Sequence, residues 1–231
     1  MGKKDQAQGY NFNFLQDVMY SKEFTEMHET AQEVLNEAHE LFYEKGYEKA
    51  SMREIAERVG ISKAAMYHHF ANKEEILYTI CLQAGEMIKE NMRRAISRNM
   101  RTEMPLKEQL TNILFKYTSS YIKNKNFNKI LLYDIESLPF EKKRGILDME
   151  KDNVHQLRSY LQEQMDMGRL KPCNLTVLTF CLFGSVHWLY FWYKDDKALS
   201  LRDVVRQIVD IHLNGVLAPQ EQTEAEGRGQ S

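Results

Sequence analysis

The sequence predicts an all-α chain of about nine helices, and three observations predict it. Apolar residues recur at helical spacing: Val34, Leu35, Ala38, Leu41 and Phe42 stand at i, i+1, i+4, i+7 and i+8. The four prolines, Pro105, Pro139, Pro172 and Pro219, fall between such segments, where they punctuate helices rather than break them. Sustained two-residue alternation, the mark of a half-buried strand, is missing apart from a short run at Tyr10-Asn11-Phe12-Asn13-Phe14.

The first helix carries the five residues named above, and Gly46 closes it as a C′ residue. Its phase extends back through Ala31, Met27 and Phe24, so it is expected to begin near Ser21. Ser51 and Glu54 then form a capping box for a short second helix. Gly60 turns the chain, Ser62 caps again, and a third short helix runs from about Lys63 to His69. Ile55, Ala56, Val59, Ile61 and Met66 face inward across this corner. A long fourth helix starts near Lys73, with Ile76, Leu77, Ile80, Ala84, Met87 and Ile88 on one face. A fifth helix follows Pro105 and runs to about Lys123, and a shorter one is expected over about 126–135. Pro139 opens a charged amphipathic helix, about 140–167, which Gly168 closes. An uncharged helix spans about 175–194, and Ser200 caps a last one that ends near Val216. From Pro219 the chain is polar and rich in Gln, Glu and Gly, which predicts a disordered tail.

Composition narrows the function classes. Of 231 residues, 43% are hydrophobic, enough for a sizeable core, while 28% are charged, which argues against a membrane protein. The segment from Asn174 to Tyr193 approaches the length of a membrane span. Thr176, Thr179, Gly184, Ser185 and His187 interrupt it, so it reads as a helix buried on all sides, with no membrane partner. The first residues are polar and show no apolar signal region. The three cysteines, Cys81, Cys173 and Cys181, form no CxxC pair, which suits a reduced, cytoplasmic protein. No GxSxG, phosphate loop, dinucleotide fingerprint or HExxH occurs, so no catalytic residue and no cofactor are expected. His155, His187 and His212 lie in separate helices without metal-ligand spacing, so no metal site is expected either.

Two short helices joined by a turn containing glycine have the spacing of a helix-turn-helix, whose second helix would enter the DNA major groove. An ordinary helical corner has the same outline, and charge separates the two. Net charge is −2, so no global basic balance announces a nucleic acid. Between Arg58 and Lys73, however, there is no acidic residue, while Arg58, Lys63 and Lys73 are positive. Repulsive charge is missing where phosphates would lie.

The run from Ala38 through Leu77, AHELFYEKGYEKASMREIAERVGISKAAMYHHFANKEEIL, resembles the N-terminal domain of the TetR (tetracycline repressor) family. The match keeps order, spacing and residue type over roughly 45 residues: Leu41-Phe42, Gly46-Tyr47, Ile55-Ala56, Val59-Gly60-Ile61-Ser62-Lys63, Tyr67, His69-Phe70 and Lys73-Glu74. Ala64 departs from it, since glycine is frequent there, but alanine favours helix. The resemblance implies that Ser51, Lys63, Tyr67, His68 and Lys73 touch DNA. Lys63 and Tyr67 share one face of the third helix, and Ser62, which caps that helix, is also an expected DNA-binding residue. Ala64, Ala65 and His68 would lie nearest the base edges. Lys73, at the start of the fourth helix, would share a phosphate with backbone N–H groups. His39 and His69 read as packing residues.

The resemblance also implies a C-terminal helical domain for ligand binding and dimerisation, with the last two helices forming a four-helix interface between subunits. Leu178, Leu182, Ser185, Leu189, Val204, Ile208 and Ile211 are the expected interface residues. Phe180, Phe183, His187, Trp188 and Phe191 are the expected ligand residues, because ligand sites are mostly apolar with few polar groups. The string HWLYFWYKDDKALSLRDVVRQIVDIHLNGVL resembles a subset of the family associated with fatty-acid or steroid breakdown and with coenzyme A thioesters. Core packing of the aromatics accounts for it equally well. Lys142, Lys143 and Arg144 would meet the coenzyme's phosphates, or form a solvated helix face.

The expected organisation is a flexible extension over 1–20, a helix-turn-helix domain over 21–80, a ligand-binding and dimerisation domain over 81–217, and a disordered tail over 218–231. The expected function is a homodimeric regulator, not an enzyme. It would bind an inverted-repeat operator in double-stranded DNA and be released by a small apolar effector, an acyl-coenzyme A among the candidates. The competing reading is a helical small-molecule-binding or interaction protein without DNA function.

Overall fold

The computed structural model describes residues 29–122, 134–194 and 199–216. These form eight α-helices and one 3-10 turn, with no strand among them. The helices are α1 (Glu29–Lys45), α2 (Met52–Val59), α3 (Lys63–His69), α4 (Lys73–Met100), α5 (Leu106–Ile122), α6 (Phe140–Asp166), α7 (Leu175–Trp192) and α8 (Leu201–Asn214); the 3-10 turn is Asp134–Ser137. The expected start near Ser21, most of the expected helix at 126–135, and both ends of the chain lie outside the described residues. Ile135, expected at the end of that helix, sits in the 3-10 turn.

The chain forms two compact units. Among the described residues, one holds 29–87 with 134–146, and the other holds 88–122 with 147–194 and 199–216. The expected division was contiguous, near residue 80, whereas 134–146 group with the first unit. There Lys142 Nζ donates to Glu74 Oε1 at 2.7 Å and lies 5.3 Å from the Tyr78 ring.

In the first unit, α1 buries Ala31, Val34, Leu35, Ala38, Leu41 and Phe42 along one stripe. Each large member removed from water contributes roughly 1.5–3 kcal/mol. Gly46, at φ 85°, ends the helix, and its N–H donates to the Phe42 carbonyl at 2.8 Å. The Ser51–Glu54 capping box forms at the head of α2 as the sequence predicts. Gly60 ends α2 at φ 79°, and the N–H groups of Gly60 and Ile61 both donate to the Ala56 carbonyl. Ile55, Ala56, Met66 and Phe70 are buried, while Val59 and Ile61 are half-buried.

In the second unit, α5 lies chiefly against α8 and also against α7. The Tyr160 hydroxyl of α6 donates to Gln109 Oε1 of α5 at 2.7 Å, a buried polar tie. Gly168, at φ 71°, ends α6 where predicted. Asn174 caps α7 by accepting from the Val177 N–H at 3.1 Å, and Ser200 caps α8. Among the described residues α7 is the one helix long and apolar enough, by length and composition, to cross a membrane. Its inner face instead packs in this unit, with Leu175, Thr179, Leu182, Phe183, Val186 and Leu189 buried.

Candidate nucleic-acid interface and ligand site

The expected recognition residues lie on or beside α3. Ser62 caps the helix by accepting from the Ala65 N–H at 3.1 Å, and Met66 anchors its inner side with no exposed surface. Lys63, Ala64, Tyr67 and His68 are exposed, and Ala65 is half-buried. The Lys63 ammonium lies 5.8 Å from the Tyr67 ring, so the two share a face as their spacing predicts. His69 is half-buried beside buried Phe70, as expected of a packing residue.

Two of the expected contacts, Ser51 and Lys73, and the cation Arg58 have other partners. The Ser51 hydroxyl is engaged in the α2 cap, where it donates to Glu54 Oε2 at 2.7 Å and accepts from the Glu54 N–H. Arg58 forms an ion pair with Glu44 of α1, which holds the Glu44 carboxyl below its usual range. Lys73 turns inward: its Nζ lies 2.6, 3.2 and 3.0 Å from the carbonyls of Tyr47, Glu48 and Ala50. Of the three cations that mark the acid-free stretch, Lys63 presents its charge outward. Counting charges along the chain could not show this, because the partners of Arg58 and Lys73 lie 14 to 26 residues away.

The expected ligand and dimer residues of α7 and α8 are each split between buried and exposed positions. Phe183 and His187 point into the second unit, whereas Phe180, Trp188 and Phe191 are 58%, 63% and 56% exposed. Conversely, Leu182 and Leu189 have no exposed surface and Val204 is 7% exposed, so these three belong to the protomer's own core. The register decides it. Val177, Phe180, Cys181, Gly184, Trp188, Phe191 and Trp192 follow helical spacing along one exposed face of α7. Leu178, Ser185 and Ile208 are half-buried, and Ile211 is 49% exposed. The Ser185 hydroxyl donates to the Cys181 carbonyl at 2.8 Å and lies 3.4 Å from His212 Nε2, which joins α7 to α8.

The interior cluster centres on Tyr117 of α5, a residue sequence reasoning missed. Its hydroxyl lies 2.5 Å from His187 Nε2, and its ring meets Phe183 edge-on at 5.0 Å. Tyr117 continues the buried series Leu110, Ile113, Leu114, which was the available signal. Burial depresses the His187 pKa to about 4, so the ring is neutral near pH 7, and its tautomer sets which of the two groups donates in the bond to Tyr117. In the same unit the buried Ser119 Oγ, Asn153 Oδ1 and Gln156 Oε1 have no hydrogen-bond partner, although such atoms are normally satisfied.

The expected phosphate grip on a coenzyme is not assembled in this form. Lys142 is bonded to Glu74, Lys143 forms an ion pair with Glu136, and Arg144 lies 4.0 Å from Glu141. Among the described residues no group of three or more His, Cys, Asp or Glu side chains is arranged to hold a metal ion.

Comparison with known proteins agrees with this geometry. Residues 34–79 match the bacterial regulatory proteins of the tetR family, and residues 103–216 match the tetracyclin repressor-like C-terminal domain. The Transposon Tn10 TetC protein of Escherichia coli is 30% identical over 175 residues, 74% of this chain and 83% of that protein. The fatty acid metabolism regulator protein of Bacillus subtilis strain 168 is 21% identical over 189 residues, 80% of this chain and 94% of that protein. AibR, solved in complex with isovaleryl coenzyme A and operator DNA, superposes with a TM-score of 0.65 at 27% identity, covering 80% of this chain and 98% of AibR. The chain therefore belongs to the TetR family of transcriptional regulators, with an N-terminal helix-turn-helix DNA-binding domain and a C-terminal helical ligand-binding domain.

Proposed function

We propose that this regulator is a cytoplasmic homodimeric repressor that leaves an inverted-repeat operator when a small apolar effector binds its C-terminal domain. The observation that carries the DNA half is the exposed α3 face of Lys63, Ala64, Tyr67 and His68, in a stretch without acidic residues from Arg58 to Lys73. Lys63 and Tyr67 supply phosphate contacts and Ala64, Ala65 and His68 meet base edges; Ser62 shapes the helix end by capping it.

The exposed apolar face of α7, with Ile211 of α8, supports dimerisation. Large side chains at Phe180, Trp188, Phe191 and Trp192 form the kind of contiguous apolar surface that marks an interface. Gly184 on this face has open space where a Cβ would stand, so a partner helix can approach closely there.

For the effector, Tyr117, Phe183 and His187 supply an aromatic wall with one hydrogen-bonding edge. The unpartnered Ser119, Asn153 and Gln156 atoms supply further polar contacts in that unit. An acyl-coenzyme A thioester is the leading effector class, supported by the likeness to AibR and by the aromatic pattern of α7 and α8. Gel-shift titration of DNA upstream of the gene tests both halves, with isovaleryl-coenzyme A, long-chain acyl-coenzyme A and the free acids added in turn. Retarded DNA released by a thioester is the expected result. No retardation at low salt would leave the helical interaction protein as the surviving reading. Release by the free acids alone would remove the coenzyme.

A further inference from the structure

Lys73 opens α4 yet sends its ammonium back across the chain. Its three protons meet three carbonyl oxygens, those of Tyr47 at 2.6 Å, Glu48 at 3.2 Å and Ala50 at 3.0 Å. An ammonium has three donors, so this set is complete. The same nitrogen lies 4.2 Å from the centre of the Tyr47 ring, whose face attracts a cation. Tyr47 and Ala50 are 8% and 4% exposed, so water reaches their surroundings poorly. The Ala50 carbonyl, left there without a donor, would be costly. Within the turn itself, the Ala50 N–H donates to the Tyr47 carbonyl at 3.2 Å.

This turn leads directly into the helix-turn-helix. Residue 51 is the serine that caps α2, and α2 leads through Gly60 to the Ser62 cap of α3. Fixing the carbonyls of residues 47, 48 and 50 fixes where α2 begins. The next residue of α4 is also engaged, since Glu74 accepts from Lys142 at the start of α6.

We infer that Lys73 is a positioning residue of the DNA-binding unit, the clip that holds the α1–α2 turn against the head of α4, and not a phosphate ligand. The inference rests on the DNA-binding reading above. To give a proton to a phosphate, Lys73 would have to leave one of three carbonyls, two of them part-buried, whereas Lys63 has no such duty.

The two roles differ in salt dependence. A lost phosphate contact lowers the slope of log affinity against log salt by about 0.9 on duplex DNA, whereas a misplaced helix lowers affinity at every salt concentration. Operator binding would be measured across a salt series for full-length wild type, Lys73→Met, Lys73→Arg and Lys63→Ala. Met keeps the stem and removes all three donors. The expected result for Lys73→Met is at least a tenfold loss with the wild-type slope, while Lys63→Ala loses about one unit of slope. Lys73→Arg, which still donates to carbonyls, should recover part of the affinity. Hydrogen exchange at the Ala50 amide should quicken in Lys73→Met, and this readout needs neither DNA nor the DNA-binding reading. A slope reduced in Lys73→Met as in Lys63→Ala would overturn the inference, as would unchanged affinity and unchanged exchange. If Lys73→Met does not fold, Lys73→Gln decides, since it keeps donors but loses the charge: a wild-type slope supports the clip, and a slope reduced by about one unit rejects it. Wild type without salt-dependent DNA binding would sink the DNA reading, and exchange at Ala50 would then judge the clip alone.

Discussion

The Tyr117 hydroxyl lies 2.5 Å from Nε2 of His187, joining α5 to α7 70 residues further along the chain. Burial keeps the imidazole of that pair neutral by lowering its pKa to about 4.

This makes stability depend on pH in a defined window. The folded pKa lies below the unfolded value of 6.5, so between about 4 and 6.5 the unfolded chain binds a proton that the folded chain does not. Stability from His187 is complete above pH 6.5 and falls on acidification, by roughly 3 kcal/mol once pH is below 4. Denaturant unfolding of wild type and His187→Gln at pH 7.5 and pH 5 should show a larger loss for wild type, by about 2 kcal/mol. Equal losses would show that His187 is not held neutral.

Lys63→Ala and Tyr67→Ala should weaken operator binding and leave the circular dichroism spectrum unchanged. Both side chains are exposed on α3, so their removal disturbs no core. A five- to hundred-fold loss of affinity is expected, corresponding to roughly 1–3 kcal/mol. If both variants bind as wild type does, α3 is not the recognition helix.

Removing the Ser51 side chain tests a cap rather than a contact. Ser51→Ala should cost about 1 kcal/mol of stability, because the Glu54 N–H loses its acceptor. The salt dependence of DNA binding should be retained. A reduced salt slope with unchanged stability would restore Ser51 as a phosphate contact.

Trp188→Glu with Ile211→Glu should convert a dimer into monomers in light scattering at micromolar concentration. The two wild-type residues are 63% and 49% exposed, so the substitutions cost little within one protomer but bury unpaired charge between two. Leu182→Glu should instead unfold the chain, since Leu182 has no exposed surface. A wild-type protein that is already monomeric would remove the interface.

Thermal-shift titration checks the effector reading through Tyr117 and Phe183. A thioester that stabilises wild type should stabilise Tyr117→Phe and Phe183→Ala less. It must also favour the DNA-free form, since equal affinity for both forms shifts nothing. Undiminished stabilisation in both variants would move the ligand away from this cluster.

The sequence by itself determined the helices and their ends. Gly46, Gly60 and Gly168 adopt the positive φ that a helix stop needs, and Ser51, Ser62 and Ser200 cap the helices that come after them. These signals act within a few residues, so they are readable along the chain. The inner face of the helix-turn-helix was legible for the same reason, through Ile55, Ala56 and Met66. Tertiary structure alone decided which side of an apolar helix is core. On α7 almost every position is apolar, so periodicity carries no phase, and α5 and α8 had to be in place before Leu182 and Leu189 fell inside and Trp188 and Phe191 outside. It also decided which charges are spent: Arg58 on Glu44, Lys142 on Glu74, and Lys73 on three carbonyls. Such pairings join residues 14 to 68 positions apart, and a charge's partner at that range is set by packing, not by spacing.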